Sequence, residues 1–210
     1  MRNPIDRLTV GLPKELRVTI DWLVTILGAI LIVLAIKQWV INPYRIPSSS
    51  MEPTLHCAGG EGCLATGGLF NGSDRVLACR ICYDIWAPKR DDIVVFNTPP
   101  RALTACGMGG VYVKRLIGLP GDTWSEKDGY VYIDGKKLDE SFLHDNLRDH
   151  ESFPAKKIPA GHYFMMGDNR NGSCDSRKWG TVPRKNLIGK VVATYWPPDR
   201  LSIQSIFAGL

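Results

Sequence analysis

The longest feature in the hydrophobic pattern is an uncharged apolar stretch near the N-terminus, residues 22–36. Extended to residues 18–41, it reaches about 24 residues, which at about 1.5 Å per residue spans the roughly 30 Å hydrocarbon core of a membrane. The extension takes in Asp21 and Lys37 near its ends, where charged groups can reach the interface. The stretch shows no polar face, so the pattern predicts a transmembrane helix rather than a buried core helix.

A cleaved secretory signal peptide has a similar apolar centre, and Ser48 and Ser50 could pass for the small residues of a cleavage site. Those serines lie well beyond the apolar stretch, with Pro47 between, so a retained anchor is favoured. Basic residues outnumber acidic ones in residues 1–17, which predicts a cytoplasmic tail and an extracytoplasmic domain over residues 42–210 of a single-pass protein of the cell membrane. Two basic residues on the far side weigh against this orientation: Lys37 and Arg45.

Beyond residue 55 the pattern changes to short runs rich in β-branched residues and bounded by turn residues. The predicted strands are residues 75–81, 92–96, 111–117, 129–133 and 187–195. Asp134 and Gly135 follow the fourth run and suit a type I′ hairpin turn. Two Gly-rich segments are predicted to be loops: residues 56–72 and 101–110. Short strands at close spacing predict a mainly β, antiparallel and partly barrel-like domain.

The composition supports a globular protein: 44% of the 210 residues are hydrophobic and 22% are charged. The formal net charge of +5 is mild, and no dense basic stripe interleaved with aromatic residues is present, so nucleic-acid binding is not expected. All six cysteines lie between Cys57 and Cys174, so inference about the redox environment concerns only the downstream domain.

A serine-rich stretch, residues 46–55, directly follows the predicted anchor. Pro47 and Pro53 bracket it, and each restricts its own backbone and biases the preceding residue toward extended geometry. The stretch is therefore predicted to be a stiff turn that presents hydroxyls at a fixed place, as a serine nucleophile requires. The alternative is a Ser/Pro linker that leaves the membrane.

A candidate base lies in the third predicted strand. Strand alternation places Tyr112 and Lys114 on one face, and loss of hydration there would lower the pKa of the lysine until a neutral amine could accept a proton from serine. The alternative is a lysine on the solvent face of an edge strand. None of the four histidines belongs to a recognisable triad motif, and no Gly-x-Ser-x-Gly sequence is present.

A third segment, residues 167–177, concentrates charge and hydroxyl groups in one loop. It is predicted to form salt bridges within itself and to offer Ser173 to a neighbour as an orienting hydroxyl. The charged members are Asp168, Arg170, Asp175 and Arg177. The alternative is an ordinary polar loop with Asx turns.

With the anchor, four sequence blocks closely resemble the bacterial type I signal peptidases, the leader peptidases of family S26, which are membrane-bound serine proteases with a Ser/Lys dyad. The blocks are residues 48–55 (SSSMEPTL), 90–96 (RDDIVVF), 112–122 (YVKRLIGLPGD) and 167–180 (GDNRNGSCDSRKWG). The resemblance implies a mainly β domain of two antiparallel sheets. It also implies exported preproteins as substrates, cut after small residues at positions −1 and −3.

The resemblance implies that Ser50 is the nucleophile and Lys114 the general base. Ser48 would donate its hydroxyl to the oxyanion hole beside the Ser50 backbone N–H. Ser173 would orient the Lys114 amine. The other supporting residues in these blocks are Asp175 and Arg177, which would hold that loop, together with Met51 and Tyr112. No metal or other cofactor is expected, membrane lipid is an expected partner, and a monomer is expected.

The sequence departs from the family pattern at Asp91, where glycine is usual; aspartate tolerates positive φ better than most residues. Residues 56–72 and 101–110 resemble insertions. Cys79 and Cys82 are predicted to point to opposite faces of one strand, which argues against a zinc knuckle. An exported domain can hold disulfides, and pairing of Cys57 with Cys63 is favoured. Cys174 is expected to be a small packing residue.

Two alternatives have other functions. A self-cleaving Ser/Lys protease like the SOS-response repressors would share the fold, but the anchor and the lack of a DNA-binding segment argue against it. A membrane-tethered β domain that only binds partners would not need Ser50 and Lys114, and both are intact.

Overall fold

The computed structural model of the chain describes residue 11 and residues 13–59, 63–64 and 72–203. Contacts divide the chain into two units, Met1–Ile41 and Asn42–Leu210. Most of the predicted cytoplasmic tail, residues 1–17, lies outside the described residues, as does much of the predicted loop 56–72. The division into tail, anchor and extracytoplasmic domain stays a prediction.

The first unit holds the predicted apolar helix, which is confirmed. Helix α1 (Lys14–Ala35) continues as one π-helical segment, Ile36–Val40, and neither contains a buried residue. Together these 27 residues reach a mean hydropathy of 2.4 over their most apolar 18-residue window. By length and composition this helix suits a membrane crossing.

The second unit is mainly β, as predicted. Its strands are β1 (Ile41–Arg45), β2 (Arg75–Cys79), β3 (Ile93–Asn97), β4 (Val111–Gly118), β5 (Thr123–Lys127), β6 (Tyr130–Ile133), β7 (Lys136–Lys137), β8 (Phe153–Lys157), β9 (His162–Met166), β10 (Val182–Pro183), β11 (Leu187–Trp196) and β12 (Ser202–Ile203). Among the described residues the larger sheet has the order β1-β2-β11-β3-β4-β9-β10, with β12 on β11, and the smaller sheet has the order β7-β6-β5-β8. The prediction of two antiparallel sheets is confirmed.

Alternation along β4 sends neighbouring side chains into different cores. Tyr112 packs against an apolar cluster that contains Phe96 and Trp179, whereas Val113 packs against one that contains Ile46 and Met51. A third cluster joins the two sheets. There, Trp124 of β5 stacks on Phe164 of β9 with ring centroids 4.2 Å apart. Burial on both faces of the larger sheet explains why β3 is apolar from Ile93 to Phe96.

Two local backbone predictions hold. Asp134 and Gly135 adopt φ angles of 51° and 78°, as a type I′ turn between β6 and β7 requires. Asp91 has a φ of 69°, and its backbone N–H donates to the Leu116 carbonyl at 2.9 Å. Aspartate therefore takes the left-handed conformation that glycine usually supplies there.

Two short helices correct the prediction from sequence. The segment 101–110 is not all loop, since α3 (Arg101–Cys106) forms at its start and ends at Gly107 with φ 71°. Its Ala102 is fully buried in the cluster with Phe96, so tertiary packing supports a helix whose Gly-rich flank suggested a loop. The predicted strand 75–81 ends at Cys79, because the chain turns there into α2 (Cys82–Ile85).

The cysteines form three disulfides. Cys57–Cys63 confirms the favoured pairing. Cys79–Cys82 corrects the expectation that these residues point apart on one strand, because the turn after β2 brings their Cα atoms to 5.5 Å. Cys106–Cys174 corrects the expectation that Cys174 is only a packing residue.

Candidate active site

The serine-rich stretch forms a short 3₁₀ turn, Ser49–Met51, held from both sides. Met51 is 1% exposed and packs with Ile46 in the core. On the other side, the Asn169 backbone N–H donates to the Ser50 carbonyl at 3.2 Å, and the Asn169 side-chain amide donates to the Ser49 carbonyl at 3.2 Å. The Ser50 side chain therefore projects from a backbone that has little freedom to move.

Lys114 reaches this turn from β4. Its side chain is 2% exposed, and its Nζ donates a hydrogen bond to Ser50 Oγ. Burial lowers the pKa of Lys114 to about 8, although the nearby carboxylates of Asp175 and Asp168 act in the opposite direction. Tyr112 lies on the same face, with its ring centroid 5.5 Å from Nζ. The lysine is thus a buried amine rather than the solvent-facing lysine of an edge strand.

The Ser48 hydroxyl lies at the open side of the same turn. Ser48 is exposed, and its Oγ is 3.3 Å from Ser50 Oγ. Its backbone is extended, with φ −126° and ψ 156°, which directs the chain into the 3₁₀ turn. This places a second hydroxyl next to the one that Lys114 contacts.

The loop after β9 passes behind Ser50 at Gly167. A Cβ atom at Gly167 would collide with the Ser173 side chain and with the Ser50 carbonyl oxygen. Ser173 is 4% exposed, and its side chain lies near the Asp175 carboxylate. The structure therefore brings Ser173 beside the Ser50 turn. Sequence reasoning missed Gly167, and the signal for it was a glycine directly before a loop rich in functional groups.

Asp175 and Arg177 form a buried ion pair inside this loop. Arg177 donates to Asp175 from Nε at 2.9 Å and from a terminal nitrogen at 2.9 Å. Asp175 also accepts from the Gly167 N–H at 3.1 Å and caps α4 (Ser176–Trp179). Burial alone would raise the pKa of Asp175, but Arg177 and these hydrogen bonds hold it below its ordinary range. The pair thus fixes both ends of the Gly167–Ser173 segment.

The Asp175–Arg177 pair confirms the prediction of a salt bridge within the loop, whereas Asp168 and Arg170 pair with residues outside it. Asp168 accepts two hydrogen bonds from Arg115 of β4, at 2.8 and 2.6 Å, and one from Thr54 at 2.6 Å. Arg170 pairs with Glu140. Asp168 therefore joins three segments: the nucleophile turn, β4 and the loop. Arg115 was missed because its position beside Lys114 does not indicate a partner distant in sequence.

Glu126 is a buried carboxyl group at the edge of this network. Neither of its oxygens has a hydrogen-bond partner within the described residues, and Arg177 is 3.7 Å away. Burial raises the pKa of Glu126 from an ordinary 4.5 to about 7. The folded state binds the Glu126 proton more tightly than the unfolded chain does. The contribution of this proton to the free energy of unfolding is therefore fully present below pH 4.5 and is lost as the pH rises through 7.

Replacing Glu126 by Gln should therefore stabilise the domain at pH 8 by on the order of 1 kcal/mol and have little effect at pH 5. Arg177 keeps Asp175 and Asp149 as partners in this variant. Denaturant unfolding of the two proteins at both pH values measures the difference. An equal destabilisation at pH 5 and pH 8 would show that Glu126 acts only through its contact with Arg177.

No histidine takes part in this arrangement. In the described part of the chain, none of the four histidine side chains is hydrogen-bonded to Ser50 or Lys114. His56 lies nearest in sequence, and its Nδ1 is 2.5 Å from the Glu52 carboxylate. The same described residues contain no group of three or more His, Cys, Asp or Glu side chains placed to hold a metal ion. The arrangement can supply a hydroxyl nucleophile, an amine base and neighbouring hydrogen-bond donors.

Comparison with known proteins gives consistent matches along most of the chain. Residues 19–196 match the family model described as signal peptidase, peptidase S26. The chain is 38% identical over 179 residues to the probable signal peptidase I-2 of Synechocystis sp., covering 85% of this chain and 74% of that protein. It is 36% identical over 202 residues to signal peptidase I of Leptolyngbya laminosa, covering 95% and 91%. It is 35% identical over 191 residues to signal peptidase I P of Bacillus subtilis subsp. natto, covering 87% and 91%.

Proposed function

Because this chain belongs to the signal peptidase family, peptidase S26, and so removes signal peptides as a serine protease, we propose that its catalytic pair is Ser50 and Lys114. The observation that supports this most is the contact between a buried lysine amine and Ser50 Oγ. A pKa of about 8 leaves a useful fraction of Lys114 neutral near neutral pH. In the neutral state the hydrogen bond runs the other way, from the Ser50 hydroxyl to Nζ.

In the proposed mechanism, Nζ takes the proton as Ser50 Oγ attacks the carbonyl carbon of the scissile peptide. The Ser48 hydroxyl and the Ser50 backbone N–H donate hydrogen bonds to the developing oxyanion. The protonated amine then gives its proton to the leaving amine, and an acyl-enzyme remains. A water molecule, deprotonated by the same lysine, hydrolyses the ester and restores Ser50. Ser173 holds the amine in line with Oγ throughout.

The supporting residues keep these groups in place. Asp175 and Arg177 hold the Ser173 segment, Met51 anchors the nucleophile turn in the core, and Tyr112 covers the lysine side chain. Burial excludes water from the amine and strengthens the electrostatic interactions around it.

The direct test is to incubate the purified full-length protein with a preprotein and to sequence the new N-terminus. Release of the mature protein by the wild type, and not by Ser50→Ala, is the expected result. Cleavage only within the protein's own chain would instead indicate a self-cleaving protease. Binding of the preprotein without any cleavage would indicate a binding domain.

Substrate choice should favour small side chains at positions −1 and −3, because the family resemblance implies shallow pockets there. Replacing Ala by Phe at −1 of a test preprotein should lower kcat/KM by at least about 100-fold through steric exclusion. A change of Ala to Ser at −1 is the matched control and should be tolerated. Similar rates for Ala and Phe would rule out the small-pocket proposal.

We propose that the N-terminal tail is cytoplasmic and that residues 42–210 lie outside the cytoplasm. The basic residues before the apolar helix support this orientation, and so do the three disulfides, which persist in oxidising compartments. Protease added to intact spheroplasts should digest the large domain and leave a fragment that contains α1. If the domain is digested only after the membrane is broken, the orientation is the reverse.

A further inference from the structure

The Cys106–Cys174 disulfide connects two segments that are 68 residues apart in sequence. Cys106 is the last residue of α3, which lies between β3 and β4, and Cys174 directly follows Ser173. The other two disulfides close short local loops, with sequence separations of 6 and 3. Cys106–Cys174 is thus the long-range cross-link among the three, and it ends beside a proposed active-site residue.

Ser173 and Cys174 lie between two points where the loop is held by hydrogen bonds. Within the described residues, Ser173 and Cys174 make no backbone–backbone hydrogen bond outside the helices and strands. The nearest backbone constraints are at Gly172, whose N–H donates to Asn169, and at Asp175, which caps α4. Between these points the disulfide adds a covalent connection to α3.

The other end of the cross-link is firmly held. Ala102 of α3 is fully buried, and both cysteines pack against the same apolar cluster. The Tyr112 hydroxyl donates to the Met108 carbonyl at 3.2 Å, which joins the end of the α3 segment to the strand that carries Lys114. The disulfide therefore holds Ser173 against a fixed support attached to β4.

We infer that the Cys106–Cys174 disulfide is a positioning element that holds the Ser173 hydroxyl toward the Lys114 amine, so that cleavage depends on the oxidation state of this pair. The inference rests on the proposed function, because it takes Ser173 to orient Lys114. Reduction by a dithiol transfers two electrons and two protons to the disulfide, which yields two thiols and the cyclic disulfide of the reductant. Without this covalent link Ser173 is held less precisely toward Lys114, and a smaller fraction of the lysine amines is aligned with Ser50.

The experiment compares the full-length wild type with a Cys106→Ser/Cys174→Ser variant in detergent. We expect kcat to fall by about 10- to 100-fold with KM nearly unchanged, because the change affects alignment of the base rather than substrate binding. Dithiothreitol should lower wild-type activity to the level of the variant, reoxidation should restore it, and the variant should not respond. The matched control, Cys79→Ala/Cys82→Ala, should keep both the wild-type rate and its sensitivity to dithiothreitol.

Wild-type kcat in a folded Cys106→Ser/Cys174→Ser variant would overturn the inference, as would equal inhibition of that variant by dithiothreitol. If the variant does not fold, the test is made on the wild-type protein alone. Its loss of activity must then follow the reduction of Cys106 and Cys174, which alkylation and mass spectrometry measure. The Ser173→Ala variant distinguishes failure of the disulfide inference from failure of the proposed role of Ser173. If it is inactive while the cysteine variant is active, only the disulfide inference fails, whereas full activity in Ser173→Ala removes the proposed role of Ser173 itself.

Discussion

Replacing Lys114 by methionine should abolish preprotein cleavage while leaving the domain folded. Methionine fills a similar volume and suits a buried site, so the strand and its packing should persist. Without an amine, Ser50 loses its base, and kcat should fall by a factor on the order of 10⁴ or more. Lys114→Arg should be equally inactive although it keeps the charge, because a guanidinium does not deprotonate in proteins.

The loss of activity in Lys114→Met should not add to the loss of activity in Ser50→Ala. Ser50→Ala and Lys114→Met remove two parts of one unit, so the double variant should be no slower than either single variant. Lys136→Met, which changes an exposed lysine of β7, is the matched control and should keep the wild-type rate. Circular dichroism verifies folding in each case. Substantial cleavage by folded Lys114→Met would contradict the assignment of the base.

Replacing Gly167 by alanine should lower kcat by about 100-fold, the cost expected for a displacement of catalytic groups by about 1 Å. The added methyl group would collide with the Ser50 carbonyl oxygen, which is backbone and cannot turn away, and with the Ser173 side chain. Either the nucleophile turn or the Ser173 segment must therefore shift. Substrate binding should change less, because the strain arises behind Ser50.

Gly109→Ala provides a matched control for this variant. A Cβ atom there would meet Thr98 and Leu103 at 3.8 and 3.9 Å, which is ordinary van der Waals contact. Steady-state kinetics should show a wild-type kcat for Gly109→Ala and a reduced kcat for Gly167→Ala. Equal, unreduced rates for the two variants would mean that the close packing at Gly167 is not needed for catalysis.

Much of the secondary structure could be predicted from local patterns in the sequence. Runs rich in β-branched residues located β2, β3, β4, β6 and β11 within a few residues, and Asp134-Gly135 identified a hairpin, because both signals are local. α3 was missed because its stability comes from burial of Ala102 in a core formed by distant strands. The end of β2 was misplaced because a turn at residues 80 and 81 interrupts a run whose composition still suits a strand.

In the candidate site, too, features with a local sequence signal could be predicted and features that depend on tertiary contacts could not. Alternation paired Tyr112 with Lys114, but alternation cannot tell which face of a strand is buried, so the low exposure of the lysine became visible only in the folded chain. The partner of Cys174 was likewise unpredictable, because disulfide pairing depends on tertiary proximity rather than on spacing. The link from Arg115 to Asp168 joins segments 53 residues apart and has no local signal.

The central claim is that Lys114 is the base that activates Ser50. The most direct measurement is the pH dependence of kcat/KM for a preprotein, in the wild type and in each single His→Ala variant. Because the neutral amine is the active form, activity should fall as the pH drops through about 8, the lowered pKa of Lys114, and this limb should be unchanged in all four histidine variants. An acid limb near pH 6.5, typical of histidine, that disappears in one folded histidine variant would contradict the account.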